Sequence, residues 1–296
     1  MNSIPFIFIH LGNEFFPDYV NIALKQCKKW NPNNNIYLIC DNIFFPNVSL
    51  QDIILIDVNT ISCSDIRGHF INNSKLDMKF RHGFWRYTTE RLFVLYDFCM
   101  QNNITEFLHL ENDNMVYFSA DELQDTFRSV NGISSPALSK DENTFGIMYC
   151  NNLSIFMNFL IFLLSNNSGQ NEMGLGSKFF FQNKDTCKFL PSIPSINENM
   201  PEEDTNIISD QIQQFGGVFD PAQYGQWLGG IDPRNGESAP FIFSNIAAII
   251  QANRFEYDIS KHTNGYMRYY IKYENTINYP IFLLHIHSKN LEKFYI

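Results

Sequence analysis

The 296-residue sequence predicts an α/β fold: a mostly parallel central sheet flanked by helices, in a single domain. Three observations predict it. Short apolar runs alternate with an amphipathic segment in a strand–helix–strand rhythm. Those runs are nearly continuous, as in strands covered on both faces. A further apolar run, residues 107–110, stops abruptly at Glu111-Asn112-Asp113-Asn114, where an open α/β sheet carries its ligand.

Residues 4–10 form the first apolar run, followed by Leu11-Gly12-Asn13, which reads as a buried strand and its loop. Residues 16–30 have helical spacing, with Val20, Ala23, Leu24 and Cys27 on one face and Lys25, Lys28 and Lys29 elsewhere. Pro17 suits the first turn and Asn31-Pro32-Asn33 stops the helix. Residues 36–40, closed by Asp41-Asn42, and residues 53–56 are the second and third strands. The polar stretch 65–84 is expected as helix and loop at the ligand edge of the sheet. A helix over 84–99 follows, with Trp85, Thr88, Leu92, Leu95, Tyr96 and Cys99 as its apolar face, and Asn102-Asn103 ends it.

Beyond the acidic cluster, residues 133–138 and 144–149 read as strands and 153–164 as a core helix. That helix falls short of the ~20 apolar residues that cross a bilayer. Residues 165–178, rich in Asn, Gly and Ser, are expected as a surface loop. Residues 191–201 carry three prolines and read as an extended connection, and 202–215 as a helix. Residues 219–238 are punctuated by Gly and Pro, and 281–287 form a last strand. There is no internal repeat and no linker long enough to separate two cores, so 1–296 is expected to be one domain.

The net charge of −10 gives nucleic acid and anionic membranes no electrostatic attraction to this chain. The six cysteines are scattered without a C-x-x-C pair, which suits reduced thiols in the cytoplasm. The apolar run after Pro5 is too short for a signal peptide and lacks a basic region before it. A cytoplasmic location with no membrane span is expected; oligomeric state is left open.

Glu111 and Asp113, held two residues apart between apolar runs, suit a hard divalent cation, Mg²⁺ or Mn²⁺. With one or two carboxylates such a cation completes its shell from water and substrate phosphate. An acid-x-acid pair ending the fourth strand of a nucleotide-binding α/β half resembles the glycosyltransferases of the GT-A, Rossmann-like fold. Here the first acid is Glu111, where that motif usually has Asp.

The resemblance implies that Asp113 and Glu111 hold a metal that clamps the diphosphate of a nucleotide sugar, of UDP or GDP type. It implies nucleotide-sugar contacts at His10, Leu11, Gly12 and Asn112, and a ribose or base contact at Asp41. Leu284-His285-Ile286-His287-Ser288-Lys289 matches the late metal-binding His of such enzymes. His287, nearer the strand end, is expected as third ligand, His285 as a packing residue, and Lys289 on a phosphate. Arg86 is expected as the better contact to the diphosphate or donor sugar, and Arg91 either there or in a structural ion pair. Ser209-Asp210-Gln211 resembles the Asp-Gln beside donor and acceptor, so Asp210 is implied as a base or a sugar binder. Asp232 and Asp220 come second in that role. The segment 219–234 looks like a loop of polysaccharide-building members, with Tyr224 and Trp227 as stacking candidates.

The implied halves are 1–118 for the nucleotide and 119–296 for the acceptor, with a C-terminal metal and phosphate segment. The acceptor would be a hydroxyl of a glycan or another molecule. Two alternatives stay open: a sugar-activating nucleotidyltransferase, disfavoured by the lack of a Gly-rich basic loop after the first strand, and a non-catalytic sugar-binding protein with a decayed site.

Overall fold

The computed structural model describes residues 3–12, 14–166, 168–194, 211–232, 250, 252, 255–273 and 277–296. The first part runs β1 (Phe6–Ile9), α1 (Asp18–Trp30), β2 (Ile36–Cys40), β3 (Ile54–Asp57), α2 (Asp65–Asn73), α3 (Phe84–Gln101) and β4 (Phe107–Leu110). Then come β5 (Asn114–Val116), α4 (Ala120–Arg128), β6 (Ile133–Ser139), β7 (Glu142–Asn143), β8 (Ile147–Cys150), α5 (Leu153–Ser165), α6 (Glu172–Gln182) and β9 (Cys187–Leu190). The last described elements are α7 (Ile212–Phe215), β10 (Val218–Phe219), α8 (Tyr224–Gly229), β11 (Glu256–Lys261), β12 (Met267–Tyr273) and β13 (Ile277–His285).

The central sheet has the order β3-β2-β1-β4-β8-β6-β7, with β9 beside β6. From β3 to β4 every neighbour is parallel, and β4 and β1 pair with Leu110 opposite Phe8. Crossover connections allow this, and helices on the faces bury the strands: Phe6, Ile7, Phe8, Phe107, Leu108 and Leu110 are all fully buried. Each such side chain contributes roughly 1.5–3 kcal/mol on burial. β8 and β6 continue the sheet antiparallel.

A second sheet, β10-β13-β12-β11, takes β5 as an antiparallel neighbour of β13. This sheet carries the C-terminal segment back to the end of β4. Buried amides hold the junction: Gln26 donates to the Val116 carbonyl at 3.1 Å and Asn31 to that of Phe118 at 3.0 Å. Arg268 of β12 donates to the Tyr117 carbonyl, grips Glu122 with both nitrogens, and lies 4.8 Å over the Trp30 ring.

Two expectations need correction. The stretch expected as a surface loop over 165–178 contains most of α6, whose start Asn171 caps by accepting from the Gly174 amide. Its glycines serve packing: a Cβ on Gly176 would come within 2.6 Å of the Phe145 ring. The last strand starts at Ile277 and stops at His285, so His287 lies beyond it. The β11–β12 hairpin and β9 carried no signal strong enough to be anticipated. Of the helix expected over 202–215, only α7 falls among the described residues. No helix among them is long and apolar enough to cross a membrane, and all six cysteines are unpaired.

Candidate active site

The turn between β4 and β5 is fixed by backbone and amide bonds. The Glu111 amide donates to the Gly146 carbonyl at 2.8 Å, Asn112 donates its side-chain amide to Ile9 at 2.9 Å, and Asn114 donates to Gly146 at 2.9 Å. Held in this way, the turn presents both Glu111 and Asp113 to one cavity of about 430 Å³. The β5–β13 pairing then sets His285 opposite Asn114, and the Ile286 amide donates to the Asp113 carbonyl at 2.9 Å. His285 Nε2 comes to rest 3.2 Å from Glu111 Oε2 and 3.2 Å from Asp113 Oδ1. Ligand atoms of these three residues lie within 4.8 Å of one another. Two carboxylate oxygens and an imidazole nitrogen, open to a cavity, are a donor set that fits Mn²⁺ or Mg²⁺.

The histidine in this cluster is His285, not the expected His287. Strand alternation does not extend to His287, since β13 and its pairing with β5 both end at His285, and it is the His285 ring that reaches the carboxylates. His287 packs edge-on against it, centroids 4.6 Å apart, and its Nδ1 accepts from Gln226 Nε2 at 2.9 Å. Asp220 fixes this arrangement from below. Its buried carboxylate accepts from the amides of Gln223, Tyr224 and Gly225 at the start of α8 and from the His285 amide at 3.0 Å. Asp220 does not line the cavity.

The two arginines separate, as helical spacing requires, and the one at the cavity is not Arg86. Arg91 lines the cavity and pairs with Glu111. Arg86 points to α2, donating to the Ile71 carbonyl at 2.8 Å and lying 5.1 Å over the Phe70 ring. Helical geometry sends residues five apart to different faces, and α3 buries the Arg91 face against the sheet. Asp41 also stays outside the cavity. It caps the 3-10 turn after β2, accepting from the Ile43 amide at 3.0 Å.

His10, Leu11, Gly12, Asn112, Lys289 and Asp232 do line the cavity. Lys289 pairs with Asp113, and Asp232 lies 3.5 Å from Arg81 Nη1. Asp210 lies outside the described residues, and its neighbour Gln211 is buried away from the cavity. Neither expected stacking residue lines it: Tyr224 is fully buried, donating its hydroxyl to the Ser192 carbonyl at 2.6 Å, and Trp227 is on the surface. The aromatic wall comes instead from Tyr19, Phe80, Phe84, Trp85 and Tyr87. Sequence reasoning also missed Glu172, the first residue of α6, which lines the cavity and accepts from Thr89 Oγ1 at 2.7 Å. The available signal was Asn171-Glu172, a helix-cap pair inside a Gly-rich stretch.

Charge in the cavity is balanced by the chain itself. Burial pushes the Asp113 carboxyl up, but His285 and Lys289 outweigh it and hold it well below the ordinary range. Burial acts the same way on Glu111, outweighed by Arg91 and His285. His285 is disfavoured as a cation by burial, yet the two carboxylates raise it overall. His287, buried beside two cationic groups, falls to about 3 and is neutral. Glu172 is pushed up by burial, which Arg91 and Thr89 only partly offset.

No protein-family model matches the sequence, and no curated protein matches it. Among solved structures, the chain is similar to mouse xyloside xylosyltransferase 1 in its apo form, with TM-score 0.50, 8% identity, and 83% of this chain and 93% of that one covered. Lower-scoring similarities include the galactosyltransferase LgtC with donor and acceptor sugar analogues, at TM-score 0.43 and 15% identity over 64% of this chain and 73% of that one. A cytidylyltransferase from Leptospira borgpetersenii scores 0.39 at 12% identity, covering 65% of this chain and 77% of that one. The architecture is that of the GT-A glycosyltransferases.

Proposed function

We propose that this chain is a metal-dependent glycosyltransferase that moves a sugar from a UDP- or GDP-type donor to a hydroxyl of a glycan or another acceptor. The observation that carries this reading is the convergence of Glu111, Asp113 and His285, from two distant segments, at the floor of one cavity. These residues would hold Mn²⁺ or Mg²⁺. When bound, such an ion supplies Lewis-acid stabilisation of charge gathering on a leaving diphosphate.

The remaining roles belong to the chain's own groups. Lys289 donates to a phosphate oxygen, and Arg91 keeps Glu111 ionised and oriented. The aromatic wall excludes water around the anomeric carbon and offers ring faces to sugar or base. An inverting reaction needs a carboxylate to take the acceptor's proton. Apart from the ligand pair, Glu172 and Asp232 are the carboxyl groups on the cavity wall among the described residues, and Asp210 stays a candidate. In the same reading 1–118 is the nucleotide half and 119–296 the acceptor half of a single domain, joined through β5 and β13. The free thiols support a cytoplasmic setting.

The test is a nucleotide-sugar hydrolysis screen with Mn²⁺, read as release of UDP or GDP, together with thermal stabilisation by UDP and GDP. Turnover of one donor with retention of the intact nucleoside diphosphate supports the reading. Cleavage between the two phosphorus atoms, read as release of a nucleoside monophosphate and a sugar 1-phosphate, assigns a nucleotidyltransferase instead, and no binding of either nucleotide with Mn²⁺ removes the transferase.

A further inference from the structure

All four carboxylate oxygens of Glu111 and Asp113 are engaged by bases of this chain. His285 Nε2 serves Glu111 Oε2 and Asp113 Oδ1, each at 3.2 Å, Arg91 serves Glu111 Oε1, and Lys289 serves Asp113 Oδ2. The two outer cations are held differently. Arg91 is 8% exposed in the middle of α3. Lys289 stands on the turn after β13 at φ +63°, its side chain 23% exposed to the cavity and its ammonium 5.7 Å from the Tyr19 ring. A single point charge on a flexible four-carbon stem can change partner without moving the backbone.

We propose that Lys289 is a tethered counter-ion that makes divalent-cation binding and diphosphate binding depend on each other. This rests on the glycosyltransferase reading above. The ammonium rests on the outer oxygen of Asp113. A divalent cation entering at the inner oxygens of Glu111 and Asp113 then meets a like charge a few ångströms away in a buried site. A diphosphate gives the ammonium a better partner, so Lys289 leaves Asp113 and the repulsion becomes attraction to the shared anion. Coupling of this kind is reciprocal: the factor by which the nucleotide tightens the cation equals the factor by which the cation tightens the nucleotide.

The test compares Mn²⁺ binding, followed by electron paramagnetic resonance of free Mn²⁺, with and without UDP and, in parallel, GDP. Wild type, Lys289→Met and Lys289→Arg are measured at equal ionic strength. Direct ligation of the cation by the diphosphate couples the two in every variant, so the quantity read is the change in coupling. Lys289→Met is expected to bind Mn²⁺ alone about tenfold more tightly than wild type, and to lose about tenfold of the nucleotide's effect. Lys289→Arg keeps the charge and is expected to keep the wild-type pattern. A merely structural role would weaken Mn²⁺ binding in Lys289→Met, the opposite sign. Equal coupling in wild type and Lys289→Met, or weaker Mn²⁺ binding without nucleotide, overturns the proposal and leaves the glycosyltransferase reading standing. Absence of any Mn²⁺-dependent nucleotide binding in wild type overturns both.

Discussion

His285 Nε2 lies 3.2 Å from Asp113 Oδ1, and the contact is set by backbone pairing of β13 with β5. Asp113 is therefore positioned by its own turn and by a strand from the far end of the chain. Asp113→Ala is expected to leave far-UV circular dichroism unchanged and to lower Mn²⁺-dependent nucleotide-sugar hydrolysis by about a hundredfold or more. Unchanged hydrolysis would remove the metal assignment.

The two late histidines separate by their effect on Mn²⁺ binding. His285→Ala is expected to weaken Mn²⁺ binding about a hundredfold, while His287→Ala, which loses the bond from Gln226, is expected to cost about tenfold. A calorimetric Mn²⁺ titration measures both. The reverse order would restore His287 as the ligand.

Gly225 lets α8 lie directly on β13, since a Cβ there would overlap the carbonyl oxygen of His285. Backbone on backbone leaves no flexible side chain to yield. Gly225→Ala is expected to lose about 1–3 kcal/mol in urea unfolding and to weaken Mn²⁺ binding through displaced His285. Gly68→Ala, inside α2 with the nearest atom 4.0 Å away, is the control and is expected to stabilise by about 0.5–1 kcal/mol.

Glu106 provides the pH dependence. Burial pushes its carboxyl up, but two bonds from Arg128, at 2.8 and 2.9 Å, and one from the Tyr149 hydroxyl at 2.7 Å hold it below its ordinary 4.5. As pH falls, the unfolded chain takes up this proton before the folded one, so the contribution is complete above that value and lost below it. Glu106→Gln is expected to cost about 2 kcal/mol at pH 7 and progressively less as pH falls below 4.5, by urea unfolding at each pH. A cost that does not shrink with acid would mean that shape, not charge, holds Arg128.

Legibility of the site followed the range of the interactions involved. Asp113 and Glu111 were visible because a strand end is a local feature, marked by apolar residues on both sides. His10, Leu11, Gly12 and Lys289 line the cavity for the same reason, each following a strand end. Arg86 and Asp41 were misplaced because the choice between cavity and neighbour depends on packing. The Phe70 ring and the Ile71 carbonyl claim Arg86, and the Ile43 amide claims Asp41. Glu172 was hidden by glycines that read as loop and serve instead to seat α6 against Phe145.

The sequence by itself determined the α/β class, the parallel half from β3 to β4 and the acidic turn, since apolar period and strand-end chemistry are encoded within a few residues. Only the tertiary structure decided which histidine and which arginine meet that turn. Those choices rest on strand register and helix face, where a shift of one or two residues sends a side chain to different partners.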